Sequence, residues 1–189
     1  MGIAFIIVDM LNDFIDPKGK LYFPDGAGVV EPIARLKASF RSAGLPVVYD
    51  NDAHPEDSQE FATWPPHCIR GDWGSAVVPD LTVEPDDVVY QKDALSLFAD
   101  GKAEQVLHDL GATRLYVAGV ATEYCVHACV VDALARGFSV TVVENAIAGV
   151  EMHKGDIARA MMAMHRAGAE FTRTERLVAA LPGGRGRKM

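Results

Sequence analysis

Six consecutive apolar residues, Ile3 to Val8, run without a polar interruption and stop at Asp9. A strand with one face in water alternates apolar and polar residues, so an unbroken run of this length is read as a strand covered on both faces. That demand recurs along the chain. Pro46 to Tyr49, Asp87 to Gln91, Arg114 to Val117 and Phe138 to Val143 read as further strands, and Glu170 to Arg173 as a short edge strand. Helical patterns lie between them. Ile33, Leu36 and Phe40 share one face of a helix ending near Gly44, and Ala103 to Leu110 closes at Gly111. Val126, Cys129, Val130, Ala133 and Leu134 recur at helical spacing up to Gly137; Ile157 to Arg166 stops at Gly168, and Glu175 to Leu181 forms a final helix. Strand–helix alternation of this kind predicts a three-layer, doubly wound sheet of about six mostly parallel strands with helices on both faces. With 189 residues the chain is read as one domain over 1–182, followed by a flexible basic tail at 183–189.

In such sheets ligands bind beyond the carboxyl ends of the strands, at the point where strand order reverses. The residues there are chemical ones. Asp9 ends the first strand, Asp50 and Asp52 are expected just after the second, Lys92 after the third and Cys125 after the fourth. Cys125 falls in the first turn of a predicted helix, where free N–H groups and the helix dipole favour a thiolate and can hold an oxyanion. Lys92 can supply positive charge, and Asp9 can take the thiol proton if burial raises its pKa. Asp13 is a second carboxylate nearby but lies within the connecting loop, so a structural role is assigned to it.

Two long segments stand outside the regular pattern. Residues 10–30 are rich in Pro, Gly and Asp, and Asn51 to Pro85 carries five prolines with little periodicity, which marks a functional excursion. Within it, Asp52-x-His54 followed by His67 offers one carboxylate and two imidazoles. That ligand set suits zinc, iron or manganese and leaves coordination positions open. Cys68 is left out of the set because neighbouring side chains in an extended segment point apart.

Several function classes are disfavoured. A net charge of −8 with no basic patch argues against nucleic acid and anionic membranes, and no apolar run approaches the roughly 20 residues that span a bilayer. Three widely spaced cysteines make no disulfide framework, and the N-terminus opens directly on a strand pattern, so a cytoplasmic protein with reduced thiols is expected. Two alternatives of other kinds stay open: a thiol redox protein using Cys125 and Cys129, and a catalytically silent scaffold stabilised by a metal.

Taken together, Ile7-Val-Asp9-Met-Leu-Asn-Asp13-Phe14, Asp52-Ala-His54-Pro55, Trp64-Pro-Pro-His67-Cys68, Lys92 and Gly119-Val-Ala-Thr-Glu-Tyr-Cys125-Val126 resemble the isochorismatase-like cysteine hydrolases, nearest the nicotinamidase and pyrazinamidase members. The likeness runs from about Ala4 to Val150. It implies a catalytic Asp9, Lys92, Cys125 triad and an oxyanion hole from the N–H groups of Ala121 and Cys125. It further implies one divalent metal ion, zinc first, with iron or manganese as alternatives, on Asp52, His54 and His67, and a cis peptide between Val120 and Ala121. The substrate implied is a small carboxamide, nicotinamide foremost, its ring sandwiched by Phe14 and Trp64 with Trp73 or Tyr124 as a third wall. Ureido, carbamoyl and maleamic-type amides are the alternatives within the family, and a homo-oligomer is expected because family members often form one. The chain departs from the usual pattern in Glu123, where an Asp is common, in Leu95-Ser-Leu-Phe98, where many nicotinamidases carry a Tyr-Ser-x-Phe segment, and in a short stretch between His54 and Trp64.

Overall fold

The computed structural model describes residues 2–182. The basic tail read at 183–189 lies outside the described residues. In chain order the elements are β1 (Gly2–Val8), the single-turn helices α1 (Asn12–Ile15) and α2 (Pro24–Ala27), α3 (Val30–Ser42), β2 (Val47–Asp52), β3 (Val88–Lys92) and α4 (Ala103–Asp109). They continue with β4 (Ala112–Val120), α5 (His127–Ala135), β5 (Ser139–Ala148), α6 (Asp156–Ala167), β6 (Glu170–Thr172) and α7 (Thr174–Ala180). Six strands form one sheet in the order β3-β2-β1-β4-β5-β6. Every pairing is parallel, where the sequence suggested only mostly parallel. Strand order reverses between β1 and β4, so a crevice is expected beyond Val8 and Val120.

The uninterrupted apolar run of β1 is explained by its place at the centre of the sheet. Ala4, Ile6 and Val8 pack on one side with Leu107 of α4, Cys129, Val130 and Ala133 of α5 and Met164 of α6. Phe5 and Ile7 pack on the other with Ile33, Leu36 and Phe40 of α3 and Leu177 of α7. All of the run beyond Ile3 is fully buried, and each of the side chains of Phe5, Ile6, Ile7 and Val8 contributes about 1.5–3 kcal/mol when removed from water. The β1 and β4 backbones pass close together at Gly119, whose φ is +124° and where any Cβ would strike the Val8 carbonyl. Only glycine fits that position.

Three strands outrun their sequence signals. β2 continues to Asp52, so Asp50 and Asp52 lie inside the strand and not after it; β4 and β5 extend to Val120 and Ala148. Most of the added residues are polar or small, and a polar residue at a strand end facing a site breaks the hydrophobic pattern without ending the hydrogen-bond ladder. The excursion between β2 and β3 folds back on the loop after β1. Leu11 bridges Val77, Asn12 N–H donates to the Ala76 carbonyl and Val78 N–H to the Met10 carbonyl. Asp13 completes the join, accepting from the Lys20 N–H at 3.0 Å and the Cys68 N–H at 2.7 Å, with Gly74 leaving room for its carboxylate. The structural role assigned to Asp13 is the one its contacts describe.

Candidate active site

The reversal point gathers residues that are far apart in the chain. Asp9, immediately beyond β1 in a left-handed conformation at φ +49°, is buried and accepts the Asp52 N–H at 2.7 Å. Lys92, the last residue of β3, is 5% exposed and places Nζ 2.9 and 2.8 Å from the two Asp9 oxygens and 2.5 Å from Asp52 Oδ1. Its ammonium also lies 3.7 Å from Asp50, whose carboxylate is wholly buried and has no hydrogen-bond partner. A carboxylate oxygen of Asp9, one of Asp52 and the Cys125 sulfur lie within 4.8 Å of one another. One buried cation thus answers three buried carboxylates. Burial opposes its charge, but Asp50, Asp52 and Asp9 outweigh that and hold the ammonium protonated.

Asp9 is pushed up to about 6, first by burial and then by the charge of Asp52, against the opposing pull of Lys92. Burial likewise pushes Asp50 well above the carboxylate range, whereas Lys92 and His54 overcome burial at Asp52 and lower it. The Cys125 thiol departs from the sequence argument. Cys125 sits in a π-helical turn, Thr122–Val126, that precedes α5, and burial, aided by Asp9, drives its pKa well above the ordinary value despite Lys92. Burial beside carboxylates thus opposes the thiolate that a helix dipole alone would favour. The Val120–Ala121 peptide, at the start of this turn, is cis.

Asp52, His54 and His67 form a second cluster beside the first, with one ligand atom from each within 4.8 Å of the others. The histidines are set by what their Nδ1 atoms meet. His67 Nδ1 lies 2.9 Å from the Pro65 carbonyl and His54 Nδ1 lies 2.6 Å from Asp93 Oδ1, so each ring turns Nε2 toward the cluster. The buried His54 Nε2 has no hydrogen-bond partner. One carboxylate, two imidazoles and an orphaned buried nitrogen suit a divalent cation of the zinc type. Cys68 lies outside this cluster for a reason other than extended geometry. Its backbone is left-handed, at φ +44°, with Sγ against the Gly74 carbonyl.

Both clusters open into a cavity of about 310 Å³. Phe14, Trp64 and Tyr124 line it as expected, and the Trp64 and Tyr124 rings meet edge to face at 5.4 Å. Trp73 does not line it. It begins a short turn on the far side of Asp13, is 51% exposed, and gives its carbonyl to the Asn12 side chain. The sequence reading missed Leu21, Tyr22 and Phe23 from the loop after β1, Glu60 from the excursion, and Val150 and Met152 from the loop after β5. Adjacent aromatics in a polar loop were the available signal for Tyr22 and Phe23; the others carried none. Leu95 stands in the wall. Glu123 reaches across to accept the N–H groups of Val150 and Glu151 at 2.8 and 2.7 Å, so the longer side chain ties the Cys125 turn to the loop bearing Val150 and Met152.

Comparison with known proteins agrees with this geometry. The isochorismatase domain model matches residues 3–176. The nicotinamidase of Escherichia coli is 32% identical over 197 residues, covering 88% of this chain and 92% of that protein. Among solved structures, the pyrazinamidase of Pyrococcus horikoshii in complex with zinc superposes with a TM-score of 0.85 at 32% identity, over 92% of this chain and 99% of that one. The N-carbamoylsarcosine amidase of Thermoplasma acidophilum gives 0.83 at 32% identity, over 92% and 97%. The chain belongs to the isochorismatase family. Its likeness within that family is to the nicotinamidase type, and it is an amidohydrolase. No helix among the described residues is long and apolar enough to cross a membrane.

Proposed function

We propose that this protein hydrolyses a small uncharged aromatic carboxamide, nicotinamide to nicotinate and ammonia in the first instance, through a thioester on Cys125. The observation that carries the reading is the Asp9, Lys92, Cys125 cluster at the base of a cavity whose described lining holds aromatic and aliphatic side chains and no lysine or arginine. Maleamic and ureido-acid substrates bear a carboxylate. In this cavity it would meet Asp9, Asp52 and Glu60 without an answering side-chain cation, so an uncharged ring is favoured over those alternatives.

In this mechanism Asp9 accepts the Cys125 proton as sulfur attacks the amide carbonyl. The N–H groups of Ala121 and Cys125 receive the oxyanion, and Asp9 delivers the proton to departing ammonia. Asp9 then takes a proton from water as the water oxygen attacks the thioester, and returns it to the Cys125 sulfur as the acid leaves. Lys92 keeps the alternating charge of Asp9 compensated at every stage, and Phe14, Trp64 and Tyr124 hold the ring. Asp52, His54 and His67 would hold the divalent ion, zinc or else iron or manganese. When bound, that ion supplies an electrophilic anchor for a ring nitrogen and for water. A cytoplasmic setting and a homo-oligomer belong to the same proposal. The three described cysteines are free, and sedimentation velocity checks the assembly.

Ammonia release from nicotinamide, pyrazinamide, a ureido acid and a maleamic acid tests the reading, using protein loaded with each metal. Turnover of the first two is expected. Turnover confined to the acids would reject the aromatic pocket while keeping the thiol chemistry; silence throughout would return the metal-stabilised scaffold to first place. The charge state of Asp9 adds a second expectation. A base must be deprotonated, so kcat/KM should fall about tenfold per pH unit below an apparent pKa of about 6. A cation on Asp52 cancels part of what raises Asp9, so zinc loading should move this acid limb to lower pH. A flat profile between pH 4 and 7 would remove Asp9 from the role.

A further inference from the structure

We propose that Asp93 is the positioning residue of the metal centre, fixing His54 so that Nε2 faces Asp52 and His67. The inference rests on the metal reading of those three residues and adds a fourth side chain that binds no metal itself. Asp93 Oδ1 receives two hydrogen bonds, from His54 Nδ1–H at 2.6 Å and from the Ser58 hydroxyl at 2.5 Å. The His54 proton is thereby kept on Nδ1, on the side away from Asp52, whose Oδ2 lies 3.5 Å from Nε2.

The position of Asp93 in the chain accounts for its reach. It directly follows Lys92, and successive residues at the end of a strand point to opposite sides. Lys92 turns inward to Asp9 and Asp52, while Asp93 turns to His54. Adjacent residues therefore anchor two of the three metal-site side chains. Ser58 extends the support, since its hydroxyl also accepts the Glu60 N–H and caps the short turn Gln59–Ala62. Phe61 of that turn packs edge-on against the rings of His54 and His67, at 5.6 and 5.8 Å. His67 differs in taking its support from the Pro65 carbonyl, so Asp93 is the only side chain bonded to a histidine Nδ1 in the described cluster. Carboxylates that orient a ligating histidine generally change metal affinity by about 10- to 100-fold.

The test is zinc affinity by chelator competition in wild type, Asp93→Ala, Asp93→Asn and Ser58→Ala, with Asp52→Asn/His67→Ala as the baseline. Asp93→Ala should weaken zinc by about 10- to 100-fold. Asp93→Asn retains an acceptor without the charge and should fall between, and Ser58→Ala should lose least. An Asp93→Ala protein that binds zinc within twofold of wild type overturns the proposal. Wild type binding no better than the baseline overturns the metal reading, and the proposal with it, a result distinct from the first. The metal-free chain gives an independent readout. Two-bond proton–nitrogen correlation at alkaline pH should show the neutral His54 ring protonated on Nδ1 in wild type. In Asp93→Ala the proton should move to Nε2, drawn by Asp52. An unchanged tautomer overturns the proposal whether or not metal binds.

Discussion

Cys125→Ala should reduce ammonia release by roughly 10⁴-fold or more, because no other described thiol or hydroxyl lines the reactive end of the cavity in a position to form the acyl-enzyme. The same variant should keep its fold. Cys125 is 6% exposed and packs with Val126 and Cys129, so loss of one buried sulfur costs about 1 kcal/mol. Zinc content should be unchanged, since Asp52, His54 and His67 are untouched. The three measurements belong together: ammonia release, metal content and a melting curve on one preparation. Retention of more than a few per cent of activity would refute the nucleophile assignment, and a collapsed melting curve would move Cys125 into a structural role. A disulfide between Cys125 and Cys129 under mild oxidation would instead revive the redox alternative.

Lys92→Met should have the largest effect on stability. Its ammonium is the only lysine or arginine charge paired with Asp9, Asp50 and Asp52 among the described residues, and removing one partner of a buried ion pair costs about 3–5 kcal/mol. Against a total of about 5–15 kcal/mol for a typical domain, that is a large share. The pH dependence has a definite sign. Asp9 and Asp50 already hold their protons more tightly in the folded chain than in the unfolded one, and loss of Lys92 strengthens this. The variant is therefore least penalised below the unfolded carboxylate pKa near 4 and loses stability as pH rises through 6 and beyond. Urea denaturation at pH 5 and pH 8 should show the gap between wild type and variant widening at the higher pH. A gap that narrowed would mean that the carboxylates are compensated by something other than Lys92.

Much of this was legible because the sheet is covered on both faces. Ile3–Val8 can be nothing but interior, and once it is the central strand, Asp9, Lys92 and Cys125 follow at strand ends by topology. The Asp52, His54, His67 cluster was legible from ligand chemistry in a proline-rich excursion. What escaped notice depends on loop paths that no periodicity encodes. Val150 and Met152 line the cavity from a loop whose Val150 and Glu151 N–H groups bond to Glu123, and Trp73 lies outside it beside Gly74, which packs against Asp13. Asp50 was named as a strand-end group, but its burial without a hydrogen-bond partner requires the neighbouring strands to be in place. The thiol was misjudged for the same reason. A helix start suggests a low pKa, while the acidic, buried surroundings that reverse it come from other strands.

Asp9 and Lys92 stand at strand termini and Cys125 in the turn after β4, whereas Leu21, Trp64, Leu95 and the pair Val150 and Met152 come from four separate loops. Selection can therefore act on the two groups independently. Under the proposed mechanism, a wall residue can be exchanged to alter which amides are accepted while Asp9, Lys92 and Cys125 keep their places.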